Sequence, residues 1–129
     1  MARLLLDTHT FLWWIDDAPQ LSTAAHRAIS DAKSECYLSL ASCWEMAIKS
    51  SLGKLQLAKP VERFVSEQLA ANNFTFLNIE LRHAAKIEKM PFHHRDPFDR
   101  LLIAQAMTEK LTIVTADRAF AGYGVKVLW

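Results

Sequence analysis

Arg3-Leu4-Leu5-Leu6-Asp7-Thr8-His9-Thr10-Phe11-Leu12-Trp13-Trp14-Ile15 is the stretch on which the fold turns. Leu4–Leu6 is a short, fully apolar run and reads as a buried strand. Phe11, Leu12 and Ile15 then fall on one face at helical spacing, so Thr8–Ile15 reads as a helix that ends at Asp16-Asp17-Ala18-Pro19. Asp7 stands at the junction. In an alternating strand–helix chain, the carboxyl end of a buried strand opens on the crevice where ligands bind.

The alternation continues outward from there. Ser22 is a good cap for a helix through about Ala32, and Cys36–Leu40 is a second strand. Ser42–Leu52 reads as a helix that stops at Gly53. Pro60 opens a helix through about Ala71, which Asn72-Asn73 closes, and Phe74–Ile79 is a third strand. Leu81–Met90 is a helix ended by Pro91, and Phe92-His93-His94-Arg95 is a loop. Asp96 caps a helix with Pro97 at its first position, running to about Lys110. Leu111–Val114 is a fourth strand and Val125–Leu128 a fifth candidate. Near-continuous apolar strands alternating with helices predict an α/β fold with a parallel sheet covered on both faces. Right-handed crossovers then align the carboxyl ends of all strands along one edge. No linker or repeat divides the chain, so residues 1–129 are expected to form one domain.

Composition narrows the function. The net charge of +1 offers no global basic signature, so a nucleic-acid site must come from local clustering. Cys36 and Cys43 make no disulfide framework, and reduced thiols in a cytoplasmic chain are the simpler expectation. The opening apolar run is broken at Asp7, too early for a signal-peptide core or a membrane span. Three glycines, Gly53, Gly122 and Gly124, build neither a P-loop nor a dinucleotide fingerprint. An apolar fraction of 51% in so small a domain leaves surface for a partner, and a homodimer is expected.

Four acids then carry the chemistry. Asp7 and Asp117 follow strands directly; Glu45 and Asp99 lie in the first turns of helices that begin nearby. Each has a plain alternative. Asp7 is placed to cap the following helix, and Glu45 completes a capping box with Ser42. Asp99 suits the helix dipole, and Asp117 suits a turn. Four at one sheet edge is much less probable by accident. Gathered carboxylates repel unless a cation neutralises them, and hard oxygen ligands suit Mg²⁺, with Mn²⁺ a substitute.

The local sequences are more specific. They are Leu4-Leu5-Leu6-Asp7-Thr8-His9, Ser39-Leu40-Ala41-Ser42-Cys43-Trp44-Glu45-Met46-Ala47-Ile48-Lys49, His94-Arg95-Asp96-Pro97-Phe98-Asp99-Arg100-Leu101-Leu102-Ile103-Ala104-Gln105-Ala106, and Val114-Thr115-Ala116-Asp117. Together they resemble the PIN-domain family, and within it the VapC-type toxins of type II toxin–antitoxin systems. The resemblance covers essentially the whole chain. It implies a three-layer α/β/α sandwich with a sheet of four to five strands, and a Mg²⁺-dependent endoribonuclease. It also implies a dimer silenced by a cognate antitoxin. It assigns metal binding to Asp7, Glu45, Asp99 and Asp117, with Thr115 as the polar residue before the last acid. His9 departs from the Ser or Asn common in relatives.

Other residues support the site less directly. Asp96 lies one turn before Asp99 and is first a cap. Lys49, Arg95, Arg100 and Arg118 flank the acids and are candidates for phosphate contacts, or for pairing with the acids when metal is absent. His93 and His94 read as loop residues, and Trp13, Trp14 and Trp44 as core or dimer contacts. An aspartyl phosphatase needs a second acid where His9 stands. A catalytically inactive RNA-binding or scaffold domain of the same fold is the alternative of a different class. The identity of the RNA is not encoded in these motifs.

Overall fold

A computed structural model describes residues 2–93 and 96–129. Arg95, proposed from the sequence as a phosphate contact, and His94 lie outside the described residues. The element order is β1 (Arg3–Leu6), α1 (Thr8–Ile15), α2 (Thr23–Ser30), β2 (Glu35–Ser39), α3 (Leu40–Ser51), α4 (Val61–Asn72), β3 (Thr75–Leu77), α5 (Leu81–Ile87), α6 (Pro97–Glu109), β4 (Thr112–Val114), a 3₁₀ helix (Arg118–Tyr123) and β5 (Val127–Leu128). The strands form one parallel sheet in the order β3-β2-β1-β4-β5.

The three layers follow from alternation along β1. Leu5 joins Ile113, Leu102, Ile103 and Phe120 in a core on one face. Leu4 and Leu6 join Leu38, Val114, Phe11 and Val65 in a core on the other. Successive strand side chains point to opposite faces, so both faces must be covered. Fully burying one such leucine contributes about 1.5–3 kcal/mol. The expected α/β/α arrangement is therefore the observed one.

The topology also fixes where a site belongs. β1 is central, β2 leads away from it on one side and β4 pairs on the other. That is a topological switch point, where the connections leave a crevice at the carboxyl ends of β1 and β4. Leu6 pairs with Val114 in register, so Asp7 and Thr115 emerge side by side.

Several boundaries differ from the sequence reading. α3 begins at Leu40, because Ser39 caps it by accepting the Ala41 N–H at 3.0 Å. Ser42 thus lies inside the helix, and Glu45 sits in its second turn rather than in a capping box. α5 ends at Ile87, three residues before Met90, where Pro91 disfavours helical backbone for its predecessor. The edge strands β3 and β5 are three and two residues long. A 3₁₀ helix follows Asp117 where the sequence suggests a turn; Gly124 closes it at φ 81°, a left-handed conformation that favours glycine.

Candidate metal and phosphate site

Asp7 is the N-cap of α1. Its Oδ1 accepts the Thr10 N–H at 2.8 Å. Its Oδ2 accepts the Thr115 hydroxyl at 2.5 Å, across the β1–β4 seam. The same Thr115 oxygen accepts the Asp117 N–H at 3.1 Å, and Asp117 Oδ1 accepts the Ala119 N–H at 3.0 Å to start the 3₁₀ helix. Asp7, Thr115 and Asp117 thus form one hydrogen-bonded chain at the switch point. Thr10 Oγ1 donates to the Val114 carbonyl at 2.8 Å and locks α1 to β4.

Glu45 joins through Thr8, the residue after Asp7. Thr8 Oγ1 donates to Glu45 Oε1 at 2.6 Å, and Lys49 Nζ lies 2.8 Å from Oε2, one helical turn further along α3. Asp7 and Glu45 are 8% and 7% exposed, so neither is a casual surface acid. Buried carboxylates require donors or a cation, and both have them. Asp99 is half-buried in the first turn of α6. Trp44 and Phe98 meet in a T-shaped contact with ring centroids 5.1 Å apart, which sets the start of α6 beside α3. Asp117 is exposed.

The flanking residues divide. Asp96 accepts the Phe98 and Asp99 N–H groups and acts as the α6 cap. Arg118 is exposed beside Asp117. Arg100 is the clearest departure from expectation. It is 5% exposed, its guanidinium donates to the carbonyls of Pro91, Ile87 and Met90, and it lies 4.3 Å from the centre of the Phe92 ring. It anchors the Ile87–Pro91 segment and is not presented to a phosphate. His9 is exposed against Trp13, and His93 packs edge-on against Tyr123. Trp13 makes tilted ring contacts with His9 and Trp129, and Trp14 donates to Asn72 Oδ1 at 3.0 Å. Burial pushes the Cys36 and Cys43 thiols up to about 11, so neither is a nucleophile at neutral pH.

Thr8, Thr10 and Gln105 escaped the sequence reading. Gln105 is fully buried, accepts the Ser39 hydroxyl at 2.5 Å and donates to the Asn78 carbonyl at 3.1 Å, joining α6 to β2. The only signal for it was a polar residue amid an apolar helical run, in Leu101-Leu102-Ile103-Ala104-Gln105-Ala106.

Among the described residues, the trio whose ligand atoms all lie within 4.8 Å of one another is not drawn from the predicted acids. It is Glu80, His83 and Glu109. Its bonds explain it without a metal. His83 Nδ1 accepts the Glu80 N–H at 3.0 Å, which leaves Nε2–H to donate to Glu109 at 2.7 Å. Arg82 also pairs with Glu109. That His83 hydrogen bond, then Arg82, holds the Glu109 carboxyl below its usual range. A cavity of about 680 Å³ lined by Arg3, Lys86, Lys110 and Lys126 likewise opens at the amino ends of the strands, away from Asp7. The predicted acids instead lie at the switch point, at the carboxyl ends of β1 and β4.

Comparisons with known proteins bear on the family and the fold. The PIN domain family model matches residues 4–126. Ribonuclease VapC22 of Mycobacterium tuberculosis is 35% identical over 119 residues, covering 92% of this chain and 89% of that protein. In fold, the chain is similar to the crystal structure of VapBC2 from Rickettsia felis bound to a promoter DNA fragment, with a TM-score of 0.72 at 12% identity, covering 97% and 96% of the two chains. It is also similar to VapBC-1 from nontypeable Haemophilus influenzae, with a TM-score of 0.65 at 14% identity over the same shares. The chain belongs to the PIN-domain family.

Proposed function

We propose that the protein is a Mg²⁺-dependent endoribonuclease and the toxin of a toxin–antitoxin pair. One observation carries the reading: two buried carboxylates, Asp7 and Glu45, stand at the carboxyl edge of the sheet, each fixed by a threonine hydroxyl. The relative named a ribonuclease supports the substrate class. The likeness to toxin–antitoxin complexes supports the antitoxin partner, with the fold as the common ground.

The donor set fits a divalent cation. It is all carboxylate oxygen, which suits Mg²⁺ or Mn²⁺ over softer metals. Glu45 already takes a cationic nitrogen at 2.8 Å. Asp7, Glu45, Asp99 and Asp117 would hold the ion. When bound, it supplies activation of water for in-line attack on a phosphodiester, leaving 5′-phosphate and 3′-hydroxyl ends. The chain does the rest. Thr115 and Thr8 hold Asp7 and Glu45 in one orientation, and Asp96 holds the α6 terminus that carries Asp99. Lys49, Arg118 and Arg95 supply positive charge for substrate phosphates.

The assembly is a homodimer in the cytoplasm. An apolar stripe along α3 supports the dimer: Leu40, Trp44, Ile48 and Leu52 are all exposed at four-residue spacing. No helix among the described residues is long and apolar enough to cross a membrane.

The test is cleavage of end-labelled RNA by purified protein in Mg²⁺, with Mn²⁺ and a chelator as companions. Wild type should cut and should stop on chelation. Asp7→Asn should abolish cutting while remaining folded by circular dichroism, because an amide replaces a charged metal oxygen poorly. An Asp7→Asn protein that cuts at near wild-type rate rejects the metal assignment. A wild type that binds RNA and never cuts it indicates the inactive RNA-binding alternative.

A further inference from the structure

Glu45 differs from Asp7 in the kind of partner it has. Among the described residues, both Asp7 oxygens receive neutral donors, the Thr10 amide and the Thr115 hydroxyl. Glu45 receives one neutral donor, Thr8, and one full positive charge, Lys49. The glutamate side chain is 9% exposed and the lysine side chain 39%, so the lysine stands on the solvent side of the carboxylate. Thr8 holds the other oxygen from the α1 side.

We propose that the Lys49 ammonium is the resident counter-ion of Glu45, and that a divalent cation gains Glu45 only by displacing it. This rests on the proposed metal site and adds a regulating residue to it. Glu45 is nearly buried, and a buried carboxylate without a cation is unfavourable. Lys49 supplies that cation internally, so the metal-free protein keeps the Glu45 carboxylate paired and its α3 packed. A divalent ion approaching the same oxygen meets a positive charge a few ångströms away, and the two repel. The lysine stem is flexible and partly exposed, so the ammonium can swing to solvent when the ion arrives. Metal uptake therefore works against one ion pair. It also frees a positive charge beside the site, where a substrate phosphate would lie.

The experiment is a Mg²⁺ and Mn²⁺ titration of the whole protein by calorimetry and by thermal shift, with no RNA present. Lys49→Met keeps a strong helix former at that position, so α3 is retained; circular dichroism confirms it. Lys49→Met should bind metal about two- to fivefold more tightly than wild type, the size of a partly exposed ion pair one helical turn apart. Its metal-induced rise in melting temperature should be correspondingly larger. Lys49→Arg keeps the charge and should bind no more tightly than wild type. Unchanged or weaker metal binding by Lys49→Met overturns the proposal, because the lysine would then be indifferent or would position Glu45 for the metal. A wild type that takes up no metal in either assay overturns the metal assignment as well. Wild-type uptake with an unresponsive Lys49→Met removes only the role of Lys49.

Discussion

At the scale of single residues, Thr115 is the hinge of the proposed site. Its hydroxyl donates to Asp7 and accepts from the Asp117 amide, so one oxygen aligns two acids that stand 110 residues apart in sequence (7 to 117). Thr115→Val keeps the shape and removes both bonds. It leaves Asp7 Oδ2 without its donor in a buried place, and a stability loss of about 1–3 kcal/mol is expected. Groups that orient metal ligands typically matter about 10–100-fold in metal affinity or activity, and the same is expected here. Thr115→Ser should restore both. Denaturant unfolding and metal titration of the pair check this, and a Val variant as stable and as tight as wild type would remove Thr115 from the site.

At the scale of elements, α6 is held at both ends by residues that look like surface charges in the sequence. At its start, Arg100 turns inward to the carbonyls of Ile87, Met90 and Pro91 and so ties α6 to the end of α5 and to Pro91. Arg100→Met should lower stability by about 2 kcal/mol. An unchanged melting temperature would return Arg100 to the list of phosphate contacts. At its far end, Glu109 ties α6 to α5 through His83 and Arg82. Its carboxyl is held below the ordinary 4.5, first by the His83 hydrogen bond. A depressed carboxylate gives stability that is fully present above the unfolded value and is lost as pH falls through the folded one. Glu109→Gln should therefore lower the melting temperature at neutral pH and flatten its decline below about pH 4.5. A decline as steep in the variant as in wild type would show that other carboxylates carry the acid limb.

At the scale of the whole molecule, the exposed apolar stripe of α3 asks for a cover. Trp44 is 55% exposed, far from the usual state of a tryptophan, and Leu52 is 62% exposed. Contiguous apolar surface of this kind marks an interaction face. A dimer formed through α3 would place Glu45 and Lys49 near the seam, on the same helix. Trp44→Glu should convert a dimeric mass to a monomeric one by light scattering at micromolar concentration, with the far-ultraviolet spectrum unchanged. A variant that stays dimeric would move the seam elsewhere, and a monomeric wild type would reject the dimer altogether.

The sequence by itself determined what depends on neighbours in the chain. Apolar runs such as Leu4–Leu6 and Leu111–Val114 mark buried strands, and helical spacing with Ser22, Asp96-Pro97 and Gly53 marks helices and their ends. Those signals are local, and they sufficed for a parallel α/β sheet and for Asp7 and Asp117 at its carboxyl edge. Boundaries are less legible where two candidate caps compete. Ser39 rather than Ser42 caps α3, because β2 ends at Ser39 and leaves the next amides to be satisfied. The ends of β3 and β5 depend on the strand beside each, which the chain does not reveal locally. Only the tertiary structure decided the partners of the acids. Thr115 and Asp7 are 108 positions apart, Thr8 and Glu45 37, and Ser39 and Gln105 66. No periodicity encodes such pairs; the order of strands brings them together. The same reason separates Arg100 from Arg118. Both are arginines beside a predicted metal ligand, and only the packing of the Pro91 loop shows that one is spent on carbonyls while the other is exposed.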